Sequence, residues 1–255
     1  DRVRSPLDNF ILSPLESKGF SFSADADRKT LIRRAYIDLL GILPTPEQVH
    51  DFGNDAEPQA WERLVDRLLA DSRFGERWGR HWLDVAGYAD SEGVSNTDPE
   101  RKWSWKYRDY VIKAFNDNKP YDQFLTEQLA GDELVEQPHK ELTEEEIANL
   151  TATGFLRMAP DGTIAGGIDQ NLARNQVIAD TMQIVGSSIL GLTVNCAQCH
   201  EHRYDPIPQA DYYRLRAVFE PAFNWKEWKK PAQRQISLYT EADSAEAAEL
   251  EKEAK

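Results

Sequence analysis

Both cysteines of this 255-residue chain fall in one five-residue run, Cys196-Ala197-Gln198-Cys199-His200. Two thiols three residues apart lie on one side of a helical turn, where they can add to the two vinyl groups of a haem. The adjacent imidazole then projects toward the porphyrin centre. The C-x-x-C-H run is therefore read as a c-type haem attachment sequence. Cys196 and Cys199 are expected to form the thioethers and His200 to be the axial iron ligand, with one haem c per chain. Three readings compete with it. A redox dithiol needs a strand-to-helix setting, and only Leu192-Thr193-Val194 is faintly strand-like. A zinc site could take Cys196, Cys199, His200 and His202, but these four fall within seven residues and close a tetrahedron awkwardly. The third is a chance match that holds nothing.

The second axial ligand is open among Met158, Met182, His50, His81, His139 and His202. His202 follows the proximal residue too closely to reach the opposite face and is expected to cap a local turn. His50 and His139 sit in polar, solvated stretches. His81 shares a helix with Trp78 and Trp82 and is expected in the core. Met182 lies on an apolar helix, where packing is the default. Met158 opens a Gly-rich loop able to present a thioether, so it is the candidate distal ligand, with a vacant site as its rival. Arg157, Arg174 and Arg203 are candidate partners for haem propionates. Trp82, Tyr88, Trp103 and Trp105 are candidate pocket walls. Asp90, Glu92, Asn96 and Asp98 form an oxygen-rich loop without the spacing of an EF-hand.

The elements that must position these residues are helical. Leu31, Ile32, Ala35, Tyr36, Leu39 and Leu40 recur at helical spacing, ended by Gly41 and Pro44. Further helices are predicted over 58–70, through Phe74 to Val85, through Tyr107 to Phe115, and over 121–130 with Gly131 as a C-terminal cap. Thr143 and Glu146 have capping-box spacing for a short helix into Ala152. Residues 158–171 read as a Gly/Asp-rich loop, and a long apolar helix over about 172–190 delivers the chain to the cysteine motif. One more helix comes after Pro208. The first 25 residues read as an irregular lead-in. The expected fold is mainly α, a single helical domain with long loops over 1–240 and haem c near its C-terminal third. Residues 241–255 read as an exposed acidic tail, the start of a linker or helix toward a further domain.

Composition narrows the partners. A net charge of −14 with no basic stripe repels phosphate backbones and excludes nucleic acid. Seven Trp and 40% apolar residues give enough material for a real core. The longest weakly polar run, 184–194, is too short to cross a bilayer. Without an initiator Met or signal peptide, the chain is expected to be a mature form or an excised fragment.

The segment CAQCHEHRYDPIPQADYYRL (196–215) resembles the signature of cytochrome c-like domains found in large paralogous sets in planctomycete bacteria, the second planctomycete cytochrome C domain, a family long labelled as of unknown function. DRKTLIRRAYIDLLGILPTPEQV (27–49), RFGERWGRHWLDVAGYADSEG (73–93), YRDYVIKAFNDNKPYDQFLTEQLAGD (107–132) and TATGFLRMAP (151–160) resemble further family blocks in the family's order. Gly87 departs from the Arg expected in the W-L-D-x-A-R-Y-A-D block. The resemblance implies a haem-bearing module that commonly stands between another cytochrome module and a further domain; it implies no substrate.

The functional expectation is a monohaem electron-transfer protein in a larger extracytoplasmic assembly, periplasmic or at the cell surface. Its partner would be a redox protein or a flanking cytochrome module. The alternatives are a haem enzyme or haem subunit with an open axial position, and a zinc-stabilised interaction module.

Overall fold

The computed structural model of the chain describes residues 3–94 and 98–254, and its regular elements are helices; among the described residues there is no strand beyond one isolated bridge between Ser91 and Glu100. The mainly α fold class is as the periodicity predicts. The residues group into two compact units, Asp1–Ala70 and Asp71–Lys255.

In the first unit, α1 (Pro6–Glu16), α2 (Arg28–Leu40), α3 (Pro46–Asn54) and α4 (Ala60–Leu69) succeed one another. Asp27 accepts the Thr30 N–H at 2.7 Å to start α2, and Gly41 at φ +72 ends it. Helices α3 and α4 pack on α2 around Ile32, Tyr36, Leu40, Phe52, Leu64 and Leu68. Two of these helices escape the apolar periodicity. α1 has no buried residue and occupies 11 residues of the stretch read as irregular. α3 is a nine-residue helix started by Pro46 and a Thr45–Gln48 capping box.

In the second unit, α5 (Arg73–Ala86) and α6 (Ser104–Asn116) form the closest helix pair. The approach needs glycine: a Cβ at Gly75 would stand 2.4 Å from the Ile112 carbonyl oxygen. The Gly75 N–H instead donates to Asn116 Oδ1 at 2.8 Å. α7 (Tyr121–Ala130) and α8 (Glu144–Ala152) come next, the second opened by the expected Thr143–Glu146 box. Gly131 is not the left-handed cap the sequence suggests. Its φ is −61, and glycine is required there because a Cβ would meet the Asn149 carbonyl oxygen at 2.1 Å. Then come α9 (Gln170–Val185), a π-helical turn over Gly186–Leu190, α10 (Gln209–Phe223) and α11 (Glu241–Glu253). All described residues of α11 are exposed.

The core of this unit runs from Trp82, Tyr107, Val111 and Phe155 to Ile178, Met182, Val194 and Tyr212. A polar set is sealed inside it. The Trp82 indole and the Tyr107 hydroxyl both donate to Gln128 Oε1, at 3.0 and 2.5 Å. Glu127, 2% exposed, accepts from the Tyr110 hydroxyl at 2.8 Å and from Gln123 at 2.8 Å, and pairs with Lys119. Burial pushes the Tyr107 and Tyr110 phenols far above their ordinary range.

Candidate functional site: the cysteine turn and the groove along α9

The path to the cysteine motif is set by the end of α9. The π turn widens the last helical turn, Gly191 at φ +65 reverses the chain, and the Leu192 N–H donates back to the Gly186 carbonyl at 3.0 Å. Val194 and Ala197, at 3% and 0% exposure, anchor the returning segment in the core. Asn195–Gln198 form a 3-10 turn that Val194 precedes and Ala197 belongs to. Cys196 lies within the turn and Cys199 is the residue that ends it, its N–H donating to the Cys196 carbonyl at 3.3 Å; both are free thiols and exposed.

Three side chains hold the backbone of that turn. Gln183 Oε1 accepts the Asn195 N–H at 3.1 Å, while Gln209 Nε2 and the Tyr213 hydroxyl donate to the Gln198 carbonyl at 3.1 and 3.0 Å. His200 is exposed, and its Nδ1 lies 2.7 Å from the Glu201 carbonyl oxygen. A carbonyl can only accept, so Nδ1 is the donor here, and a ring held through Nδ1 in this way is the arrangement a metal-ligating imidazole uses. His202 is committed differently. Its Nδ1 accepts the Asp205 N–H at 2.9 Å, and Nε2 sits 3.4 Å from the Thr193 hydroxyl. It caps the local turn, as its spacing suggests. Among the described residues no group of three or more His, Cys, Asp or Glu is gathered as a zinc or calcium site would be.

The remaining candidates separate by burial. Met158 is 5% exposed and Met182 0%, both packed in the core. His50 is exposed beside Asn54, and His139 is half-buried. His81 is exposed with its ring 5.5 Å from Trp78, so the core position expected for it is not found. Trp82 is a core residue, whereas Trp103 and Trp105 stand exposed beside each other. Arg157 and Arg174 spend their guanidinium groups on the carbonyls of Ala222 and Trp225 and lie over the rings of Phe223 and Trp228; Arg203 lies over the exposed Tyr204 ring.

The oxygen-rich loop has structural work. Asp90 accepts from the Tyr88 hydroxyl at 2.6 Å, and Asp98 from the Gly93 N–H at 2.9 Å; Asn96 lies outside the described residues. Glu92 is buried, bound to Arg101 at 2.9 Å and to the Asp161 N–H at 3.3 Å. Arg101 also donates to the carbonyls of Met158 and Ala159, fixing the start of the loop before α9. Sequence reading overlooked Arg101, whose surroundings give no periodic signal.

One face of α9 borders an open groove of about 440 Å³, lined by Pro160, Ile168, Leu172, Ala173, Gln176 and Asp180 among others. Burial holds the Asp180 carboxyl above its usual range despite a hydrogen bond from Gln176.

The fold and this turn define a helical protein that displays C-x-x-C-H on its surface. A family model, PSCyt2, described as a protein of unknown function (DUF1549), matches residues 6–223. The chain belongs to that family, which the resemblance pointed to. Neither the curated proteins nor the solved structures compared with it gave a match.

Proposed function

We propose that this chain is a c-type monohaem protein, one haem c held by thioethers at Cys196 and Cys199 with His200 as axial ligand, working in electron transfer within a larger extracytoplasmic protein. The observation that carries the reading is the turn itself: two free, exposed thiols, Cys196 within a 3-10 turn and Cys199 at its C-terminal end, followed at once by an imidazole whose Nδ1 is held by a carbonyl. The donor set fits the group chemically. Bound there, haem supplies a one-electron couple at its iron. The chain's part is to hold Asn195 and Gln198 through Gln183, Gln209 and Tyr213, so that the two thiols present together. Attachment outside the cytoplasm reflects the need to present both thiols reduced to a dedicated maturation system. The acidic surface would steer the module toward basic patches on a redox protein or a flanking cytochrome module, more weakly as salt rises.

Acid–acetone extraction and intact mass measurement test the assignment on exported protein made with a c-type maturation system. The expected wild-type mass includes one haem, and Cys196→Ala or Cys199→Ala weakens or abolishes the addition. A wild-type mass equal to the bare polypeptide sinks the proposal.

Met158 is the proposed distal ligand, two residues before Pro160 at the groove. The 5% exposure of its side chain favours a second reading, a haem enzyme or haem subunit with an open axial position. The ferric spin state decides between them. A low-spin wild type that becomes high-spin in Met158→Ala supports ligation. A wild type that is already high-spin and binds small exogenous ligands supports the open site.

A further inference from the structure

The groove along α9 is apolar in its walls and carries charge of one sign. Leu172, Ala173, Gln176 and Asp180 recur at spacings of one, three and four, so they share the stripe of the helix that faces it. Leu172 and Ile168 stand 66% and 43% exposed, and Pro160 continues the apolar wall. The charged residues among the described lining are two carboxylates, Asp169 and Asp180. They are not alike. Asp169 is occupied as the N-cap of α9, accepting the N–H groups of Asn171 and Leu172 at 2.8 and 3.3 Å. Asp180 caps nothing. It accepts one hydrogen bond, at 2.8 Å, from the uncharged Gln176, and among the described residues no cation pairs with it.

A carboxylate partly withdrawn from water without a counter-charge is costly, and burial accordingly holds the Asp180 carboxyl above its ordinary range. What the groove lacks is a positive charge, and the kinds of guest separate on that point. An anion would meet two carboxylates. A neutral apolar guest would strip more water from Asp180 and leave it unpaired. A metal ion would find too few ligands, since among the described residues no three of His, Cys, Asp or Glu gather there. A cation carried on an apolar body suits both the wall and the charge. The volume of about 440 Å³ falls within the range of small-molecule sites, and the eight residues from Leu172 to Asp180 span about 12 Å of helix.

We propose that the groove is a binding site for a hydrophobic amine, its ammonium group paired with Asp180 and its apolar body laid over Leu172, Ile168 and Pro160. The inference stands apart from the haem reading and does not depend on what Cys196 and Cys199 carry.

A net charge of −14 attracts any cation, so the test must separate one carboxylate from the diffuse field. Isothermal titration calorimetry at fixed ionic strength compares three probes of one shape: 4-phenylbutylamine, 4-phenylbutanol and 4-phenylbutyrate. The amine is expected to bind the wild type at least about tenfold more tightly than the alcohol, the discrimination that one charge-assisted hydrogen bond gives, and the acid not to bind. Asp180→Asn keeps an acceptor for Gln176 and removes the charge, so the amine falls to the level of the alcohol. Leu172→Ser, at an exposed position, weakens amine and alcohol together. Glu249→Gln, on the exposed α11, leaves the affinity for the amine unchanged. The site is overturned by a wild type that takes up no amine or binds it no better than the alcohol. It is equally overturned if Asp180→Asn leaves the amine's advantage intact, or if Glu249→Gln lowers it as much as Asp180→Asn does.

Discussion

The buried polar set around Glu127 and Gln128 and the exposed turn at Cys196–His200 are both built from hydrogen-bonding side chains, and they are organised in opposite ways. In the first, side chains bond side chains, and the donors of Trp82, Tyr107 and Tyr110 end on acceptors inside the core. In the second, side chains from α9 and α10 bond only the backbone of the turn, so Cys196 and Cys199 are left exposed. The interior spends its polar groups on specifying a packing arrangement. The turn's neighbours use theirs to keep reactive side chains unengaged.

The comparison breaks most visibly at Glu127. Glu127→Ala leaves Lys119 and the Tyr110 hydroxyl without their buried partner, and loss of one member of a buried pair costs about 3–5 kcal/mol. Chemical denaturation is expected to show that loss; a change below about 1 kcal/mol would mean that water replaces the carboxylate and that the set is not sealed. At the turn the expectation reverses. Cys196→Ser with Cys199→Ser, measured on chain without cofactor, changes stability by no more than about 0.5 kcal/mol, because neither exposed thiol packs in the core. A larger loss would give the thiols a share in the fold.

The smallest effect sharpens the same contrast at the groove. Burial raises the Asp180 carboxyl above its ordinary value, so the folded chain resists ionising a group that the unfolded chain ionises readily. Stability on this account is full below the ordinary carboxylate range and falls as pH rises through the raised value. Asp180→Asn, which keeps an acceptor for Gln176, is therefore expected to match the wild type in acid and to exceed it slightly at neutral pH. Thermal unfolding at two pH values checks this, and equal melting at neutral pH removes Asp180 as a destabilising group.

Much of the helical order was legible because it rests on apolar periodicity and caps. Leu31 to Leu40 became α2, the Thr143–Glu146 box opened α8, and the segment after Pro208 became α10. The illegible part depends on tertiary distance. Gly131 reads as a cap but is required by the close Asn149 carbonyl, and α1 buries nothing, so no apolar pattern outlines it. His81 lies beside two tryptophans in sequence, yet its helix turns it outward. Gly87, the departure from the expected Arg, closes α5 in the left-handed conformation at φ +72, where a side chain is strained. At the site, Cys196, Cys199 and His200 announce themselves by spacing alone. Gln183, Gln209 and Tyr213 do not, since each acts through one bond to a backbone atom whose position no sequence pattern encodes.

The π turn at Gly186–Leu190 sets the phase of the chain that leads to the cysteines. Each residue added to or removed from a helix rotates the downstream chain by about 100°. Deleting one residue there would restore an ordinary helical ending and swing the returning segment sideways, so that Val194 lost its place in the core or Cys196 took it. Gly186 has no spare room either, for a Cβ on it would stand 3.0 Å from Val194 Cγ2. The length of this segment is thus a property that natural variation can little alter, since an insertion or deletion would turn the reactive face inward.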